Sequence, residues 1–262
     1  HNNGGLQGNI WWESNLKHFF PVGEVNGSHG VYRPGGTALN SGQVGSKRAA
    51  QYITARYNEQ PVSLDKFKNE TLKQIEQKII LGDEFINSLK NEENQRESKT
   101  NNKVNVLEIR DQLGERMSRA GAHIRNLEQI EKAINETKAH LDSIADISEL
   151  KSYYDLSLAF QNFDLLTAQY VYLYAFKDYI QNGGESRGSY IINNKTGDIK
   201  IEELDEEYRF SLEDSHFQDK IQRIKYESGH LKFSWKRVKE IPKKDDWFEN
   251  IWNKYQNDEI IN

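Results

Sequence analysis

Between Phe19 and Ile53 the chain carries a run of residues whose types and spacing suit ligand chemistry: an apolar stretch, Glu24, a glycine-rich loop, Arg33, Gly35-Gly36 and a helix of small residues. A carboxylate at the end of an apolar strand, as at Glu24, has two acceptor oxygens for the hydroxyls of a ribose diol. Gly35-Gly36 followed by Thr37, Ala38 and Leu39 would leave backbone N–H groups exposed at a helix start, where the helix dipole favours an electron-rich or anionic atom. Arg33, just ahead of that start, offers a planar fork that matches a carboxylate through two parallel hydrogen bonds. A glycine-rich loop before a helix is by itself usually a turn, so the spacing alone leaves both readings open.

The elements that must position these residues change character at about Ser63. Before it lie more than half of the 18 glycines, in a pattern of short strands and tight turns. After it, Leu64, Phe67, Leu72, Ile75, Ile79 and Ile86 recur at helical spacing. The polar stretch 93–103 separates this helix from a second, over about Val104–Ile144, in which Gly114 and Gly121 are candidate bends. A third helix, about Ser148–Asn182, is apolar and aromatic and meets a stop at Gly183-Gly184. The pattern predicts a mainly α chain whose residues 63–184 form a three-helix antiparallel bundle, with Phe67, Ile79, Leu113, Phe160 and Leu166 inside. Alternation around Ser228-Gly229 predicts a β-hairpin within 185–262, followed by a short aromatic helix.

Composition narrows the classes. The net charge of -5 gives no basic excess for phosphate neutralisation, so nucleic acid is not an expected partner. With no cysteine there is no disulfide, no thiolate for a metal or iron–sulfur cluster, and no metal site is expected; a reducing, cytoplasmic setting fits. No run reaches the roughly 18 apolar residues of a membrane span. The opening HNNGG, without an initiator methionine, reads as the interior of a longer polypeptide.

The Phe19–Ile53 run resembles the GEVTGGVHGANRLGGNAL element, and the GRxAA-type helix after it, of the fumarate reductase / succinate dehydrogenase flavoprotein class. Glu24, His29, Gly30, Arg33, Gly35, Gly36, Ala38, Leu39, Arg48, Ala49 and Ala50 fall on matching positions. The loop from Glu24 to His29 is one residue shorter, Pro34 replaces an apolar residue, and Tyr32 and Thr37 stand where Asn is usual. The resemblance implies that 1–62 is the C-terminal piece of an FAD-binding α/β domain. By the same resemblance Glu24 would hold the FAD ribose, and Thr37, Ala38 and Leu39 would present amides to the flavin. Arg33 would bind and polarise a small carboxylate substrate as the catalytic arginine. His1, in a segment similar to the family's His-x-x-x-Gly-Gly element but one residue short, is the second substrate-binding candidate. Glu185-Ser186-Arg187-Gly188 is similar to the motif that follows the family's helical bundle.

The chain lacks the G-x-G-x-x-G fingerprint, so alone it would hold FAD weakly or not at all and be inactive. An N-terminal FAD domain is the implied partner, with a partner electron-transfer subunit or self-association as further possibilities. The alternative is a helical interaction or scaffold module without its own catalysis. His29 reads as a loop residue, and His123 and His140, lone on helices, as solvent-facing or satisfied in the core.

Overall fold

The structure is a computed structural model that describes residues 4–30, 33, 35–94, 103–203, 208–214, 216–227, 229–238, 247–257 and 259. The chain divides into two compact units, one of residues 1–62 with 238–262 and one of 63–237. In the first, helix α1 (Thr37–Arg56) follows the glycine-rich segment. Helix α6 (Trp247–Gln256) sets Tyr255 against it, with the Lys47 ammonium 5.0 Å from the Tyr255 ring centre and Gln51 Nε2 3.5 Å from its hydroxyl.

The second unit contains helices α2 (Leu64–Asn94), α3 (Val106–Gly121), α4 (Leu127–Ile147) and α5 (Leu156–Gln181). Four helices therefore stand where periodicity predicts three, because the expected second helix breaks at Gly121. His123 and Arg125 give their carbonyls to the backbone N–H groups of Ile191 and Asn193, both at 2.7 Å. Strand β2 (Ile124–Arg125) thereby pairs in parallel with β4 (Ile191–Ile192), and an extended backbone cannot continue a helix. Asn126 then restarts one, its Oδ1 accepting from the N–H groups of Glu128 and Gln129. A second parallel pair, β1 (Val104–Asn105) with β3 (Ser148–Glu149), brings the heads of α3 and α5 together. Before α5, Ser152 and Asp155 form a capping box. At its end Gly183, at φ 86°, closes a Schellman motif in which Gly184 N–H reaches Tyr179 O and Gly183 N–H reaches Ile180 O.

Contacts fix the directions. Asn162 Nδ2 donates to Val106 O at 2.7 Å and Gln169 Nε2 to Leu113 O at 2.6 Å, so α5 runs parallel to α3. Arg116 meets Glu136 and His140, and Leu113 clusters with Ile144, so α4 runs opposite to both. Among the described residues two apolar clusters fill the space between these helices, and a third gathers Tyr179, Ile192 and Phe217. Of the first two, one gathers Phe85, Ile109, Leu113, Ile144, Leu150 and Leu166; the other gathers Ala120, Ile130, Ala133, Ile134 and Leu173. Between them lies a polar layer of Arg116, Glu136, His140 and Gln169, with fully buried Thr137 beside it.

Leu113 and Leu166 are buried as the spacing predicts, and Phe160 is half-buried. Phe67 and Ile79 are exposed instead, at 54% and 57%, because α2 enters the apolar core through its C-terminal half, at Leu81, Phe85 and Leu89. No described helix is long and apolar enough to cross a membrane.

The alternating segment forms the hairpin β5 (Lys220–Glu227) and β6 (His230–Arg237), in register from Lys220 opposite Arg237 to Glu227 opposite His230. Gln222 Nε2 ties it to α5 through Ala175 O at 3.0 Å and Asp178 Oδ2 at 2.7 Å. The Glu185–Gly188 motif closes the far end of the unit. The Tyr179 hydroxyl lies within hydrogen-bond reach of Glu185 O and of the Glu213 carboxylate, and Arg187 Nε lies 3.3 Å from the same Glu213.

Leu166→Ala removes a wholly buried side chain and is expected to lower stability by about 2–5 kcal/mol. Leu107→Ala, on the exposed side of α3, is expected to stay within about 0.5 kcal/mol. Urea denaturation of the two variants measures the contrast, and equal losses would show that the core lies elsewhere.

Candidate functional site

The glycine-rich segment of the first unit is built around two chain passes in close approach. Leu6 N–H donates to Val25 O at 2.7 Å, and Gly5 lies directly against Gly27. A Cβ on Gly5 would sit 2.3 Å from Val25 O, and one on Gly27 2.4 Å from the Gly5 nitrogen. Gly27 is also left-handed, at φ 71°. These glycines shape the single 3-10 turn Glu24–Asn26, which Gly23 enters at φ 86°. The Gly4-Gly5 pair near the start of the chain therefore braces the turn that carries Glu24.

Glu24 stands exposed on this turn, and its Oε1 lies 3.3 Å from Arg33 Nη1. The Arg33 side chain is 20% exposed and that of Glu24 53%. The acid and the base that the sequence separates by eight residues thus meet as an ion pair. Gly35, at φ 58°, and Gly36 then lead into α1, whose N-cap Gly36 supplies no side-chain hydrogen bond. Thr37 and Leu39 are exposed and Ala38 half-buried at that helix start. His1 lies outside the described residues.

Three polar atoms of the same segment are buried without a hydrogen-bond partner: Asn26 Nδ2 and both ring nitrogens of His29. Asn26 packs under Gly8, where an added Cβ would come within 2.5 Å of its Nδ2. Each such group costs roughly 1–3 kcal/mol when left unsatisfied, and the backbone bonds Asn26 N–H to Gly23 O and Gly27 N–H to Glu24 O hold the turn beside them. The residues fit a polar group such as FAD in donor and acceptor type: a carboxylate, a guanidinium and uncapped helix N–H groups lie within one short segment.

Aromatic packing anchors the segment behind the turn. Trp11 stacks on Tyr52 at 5.5 Å and takes the Arg48 guanidinium 4.9 Å above its ring, while Trp12 lies against Gly45. Trp12 and His18 hold positive φ values of 69° and 67°, unusual for residues with side chains. Tyr57 donates its hydroxyl to Glu13. Gly45 and Ala49 are the buried residues of α1, and nothing in the spacing foretold the Trp12 wedge against Gly45.

Outside this segment the structure adds polar residues that sequence reasoning missed. Arg125 is sandwiched between the Phe176 and Tyr190 rings, at 3.9 and 4.0 Å, and its Nε donates to Gly121 O and Ala122 O. Arg116, in the polar layer, is 4% exposed. The aromatic side chains of α5 from Tyr170 to Tyr179 are buried or half-buried and serve the packing of the unit. No cluster of candidate metal ligands occurs among the described residues.

Comparison with known proteins gives no match to any family model. The chain is 31% identical over 147 residues to a protein of Methanothermobacter marburgensis whose name makes it one of the subunits of a fumarate reductase (CoM/CoB). The match takes in 55% of this chain and only 23% of that protein's length. It supports a distant fumarate-reductase-like relation.

Gly27→Ala is expected to destabilise the first unit by about 1–3 kcal/mol, through the left-handed φ and the contact with Gly5. Gly188→Ala, in open space, serves as the control. Thermal denaturation compares them, and an unchanged midpoint for Gly27→Ala would rule out the close approach.

Proposed function

We propose that this chain is the C-terminal part of an FAD-dependent oxidoreductase of the fumarate reductase / succinate dehydrogenase flavoprotein class, contributing to flavin and substrate-carboxylate binding. The observation that carries the reading is the meeting of Glu24 and Arg33 at 3.3 Å, two residues ahead of the Gly35-Gly36 entry to α1. The distant likeness to a protein named for fumarate reductase supports it.

In this reading Glu24 accepts hydrogen bonds from the FAD ribose, its carboxylate having about four lone-pair sites, enough for ligand and Arg33 together. The N–H groups of Thr37, Ala38 and Leu39 face the electron-rich edge of the flavin. Arg33 binds a small carboxylate, and His1 is a second contact for it. Bound flavin supplies the hydride or electron transfer. Pairing with Glu24 restrains the long Arg33 side chain, which lowers the entropy lost when it grips a substrate. The N-terminal FAD domain of a longer parent completes the site. Because the relative is named as one component of a larger enzyme, a partner electron-transfer subunit is favoured as well.

A second reading, a helical interaction or scaffold module without catalysis of its own, is favoured by one observation. Leu64, Phe67, Leu72, Ile75 and Ile79 are all exposed along the N-terminal half of α2. A contiguous apolar surface of this kind marks a contact site.

In the full-length parent, Arg33→Lys keeps the charge but loses the fork, so turnover should fall by roughly two or more orders of magnitude with flavin content near normal. Glu24→Gln should lower flavin retention, with activity per bound flavin less affected. Flavin absorbance and steady-state kinetics read the two effects. A colourless parent would favour the scaffold reading, and a normal turnover for Arg33→Lys would remove Arg33 from substrate binding.

A further inference from the structure

The polar layer of the helical unit places a titratable side chain against a permanent cation. Arg116 of α3 spreads three donors over two neighbouring helices. Its Nε lies 3.3 Å from Glu136 Oε2, its Nη1 3.2 Å from Gln169 Oε1, and its Nη2 3.1 Å from His140 Nδ1. A guanidinium has no acceptor, so the contact with His140 requires Nδ1 to be the acceptor. The imidazole is then neutral, with its proton on Nε2.

We infer that the Arg116–His140 contact is an acid-sensitive latch between α3 and α4. Protonation of His140 removes the only acceptor it offers Arg116 and sets two cations in contact inside the bundle. Arg116 cannot relieve this by losing its own proton. Movement of Arg116 would also disturb α5, because the Gln169 side chain that accepts from Arg116 donates in turn to Leu113 O at 2.6 Å. A single protonation therefore bears on all three helices.

The charged groups that act on His140 among the described residues are Arg116 of α3 and Glu136 of its own helix, with Arg119 of α3 bound to Glu136; α5 offers the uncharged Gln169 to Arg116. Burial first, and then the Arg116 charge, press the imidazole below its ordinary value, while Glu136 pulls the other way. Glu136 is already engaged by Arg119 at 2.6 Å and by Arg116, so its charge is shared. Burial raises the Glu136 carboxyl, but the two arginines outweigh this and hold it below the usual range.

The sign follows. With the folded value depressed, the unfolded chain binds more protons, so the stabilisation is fully present above the unfolded value near 6.5. It is lost as pH falls through the folded value. Paired carboxylates such as Glu136 titrate lower and add their loss later.

Two measurements on the whole chain test the latch. In an NMR titration of the wild type, the His140 ring should titrate below the ordinary histidine value of about 6.5; titration at or above it overturns the proposal. In urea denaturation at about pH 7.5 and about pH 5.5, either side of the ordinary histidine value, wild type should lose midpoint on acidification. His140→Gln, which keeps an acceptor and cannot be protonated, should lose much less. An equal loss in both proteins overturns the proposal, and the NMR titration decides the matter should the variant fail to fold.

Discussion

Arg116 is the constraint on which the helical unit depends. A charge that is 4% exposed has surrendered its hydration, and the structure must return that loss through hydrogen bonds to the guanidinium. Glu136, Gln169 and His140 do so from two helices at once, which leaves α3, α4 and α5 one relative height. The apolar clusters above and below have no such preference, since leucines and isoleucines tolerate small slips. Directional bonds in the middle layer choose the register, and the apolar layers supply most of the stabilisation.

The pairing of α5 with α3 repeats this logic at heptad spacing. Asn162 and Gln169 each place a buried amide donor on a helical carbonyl of α3, Val106 and Leu113. Parallel neighbours cannot be joined by a short loop, so their alignment needs help from elsewhere. The two-residue pair of Val104–Asn105 with Ser148–Glu149 provides it at the heads of the helices. The glycine-rich unit is held differently. Close backbone contact between Gly5 and Gly27 and aromatic packing behind Trp11 and Trp12 define its turn, which leaves Glu24 exposed with Arg33 beside it.

Sequence reading reached those features whose causes are local. Helical content, the hairpin and the stop at Gly183 follow from periodicity, alternation and a left-handed glycine within a few residues. Leu113 and Leu166 are buried because their helices have partners on the predicted side; Phe67 and Ile79 share the same periodicity on a stretch of α2 without such cover. Periodicity reports which face is apolar and is silent about what meets it. The break after Gly121 had a readable signal in Asn126, a strong N-cap residue, but its cause is a pairing with residues 191–192, far along the chain. At the site, the order of Glu24, Arg33 and Gly35-Gly36 was legible, whereas the ion pair was not, because it depends on the path of the intervening loop. Arg116 was the least legible of all: a charged residue in a helical pattern is read as facing water.

The contact of α6 with α1 joins residues 204 positions apart, Gln51 and Tyr255. Closing so long a loop in a flexible chain costs roughly 5 kcal/mol of entropy by (3/2)RT ln n. The chain between them escapes most of that cost only when it is already folded. A structured stretch between them shortens the distance left to close, so α6 seats on α1 more readily once the intervening residues are folded.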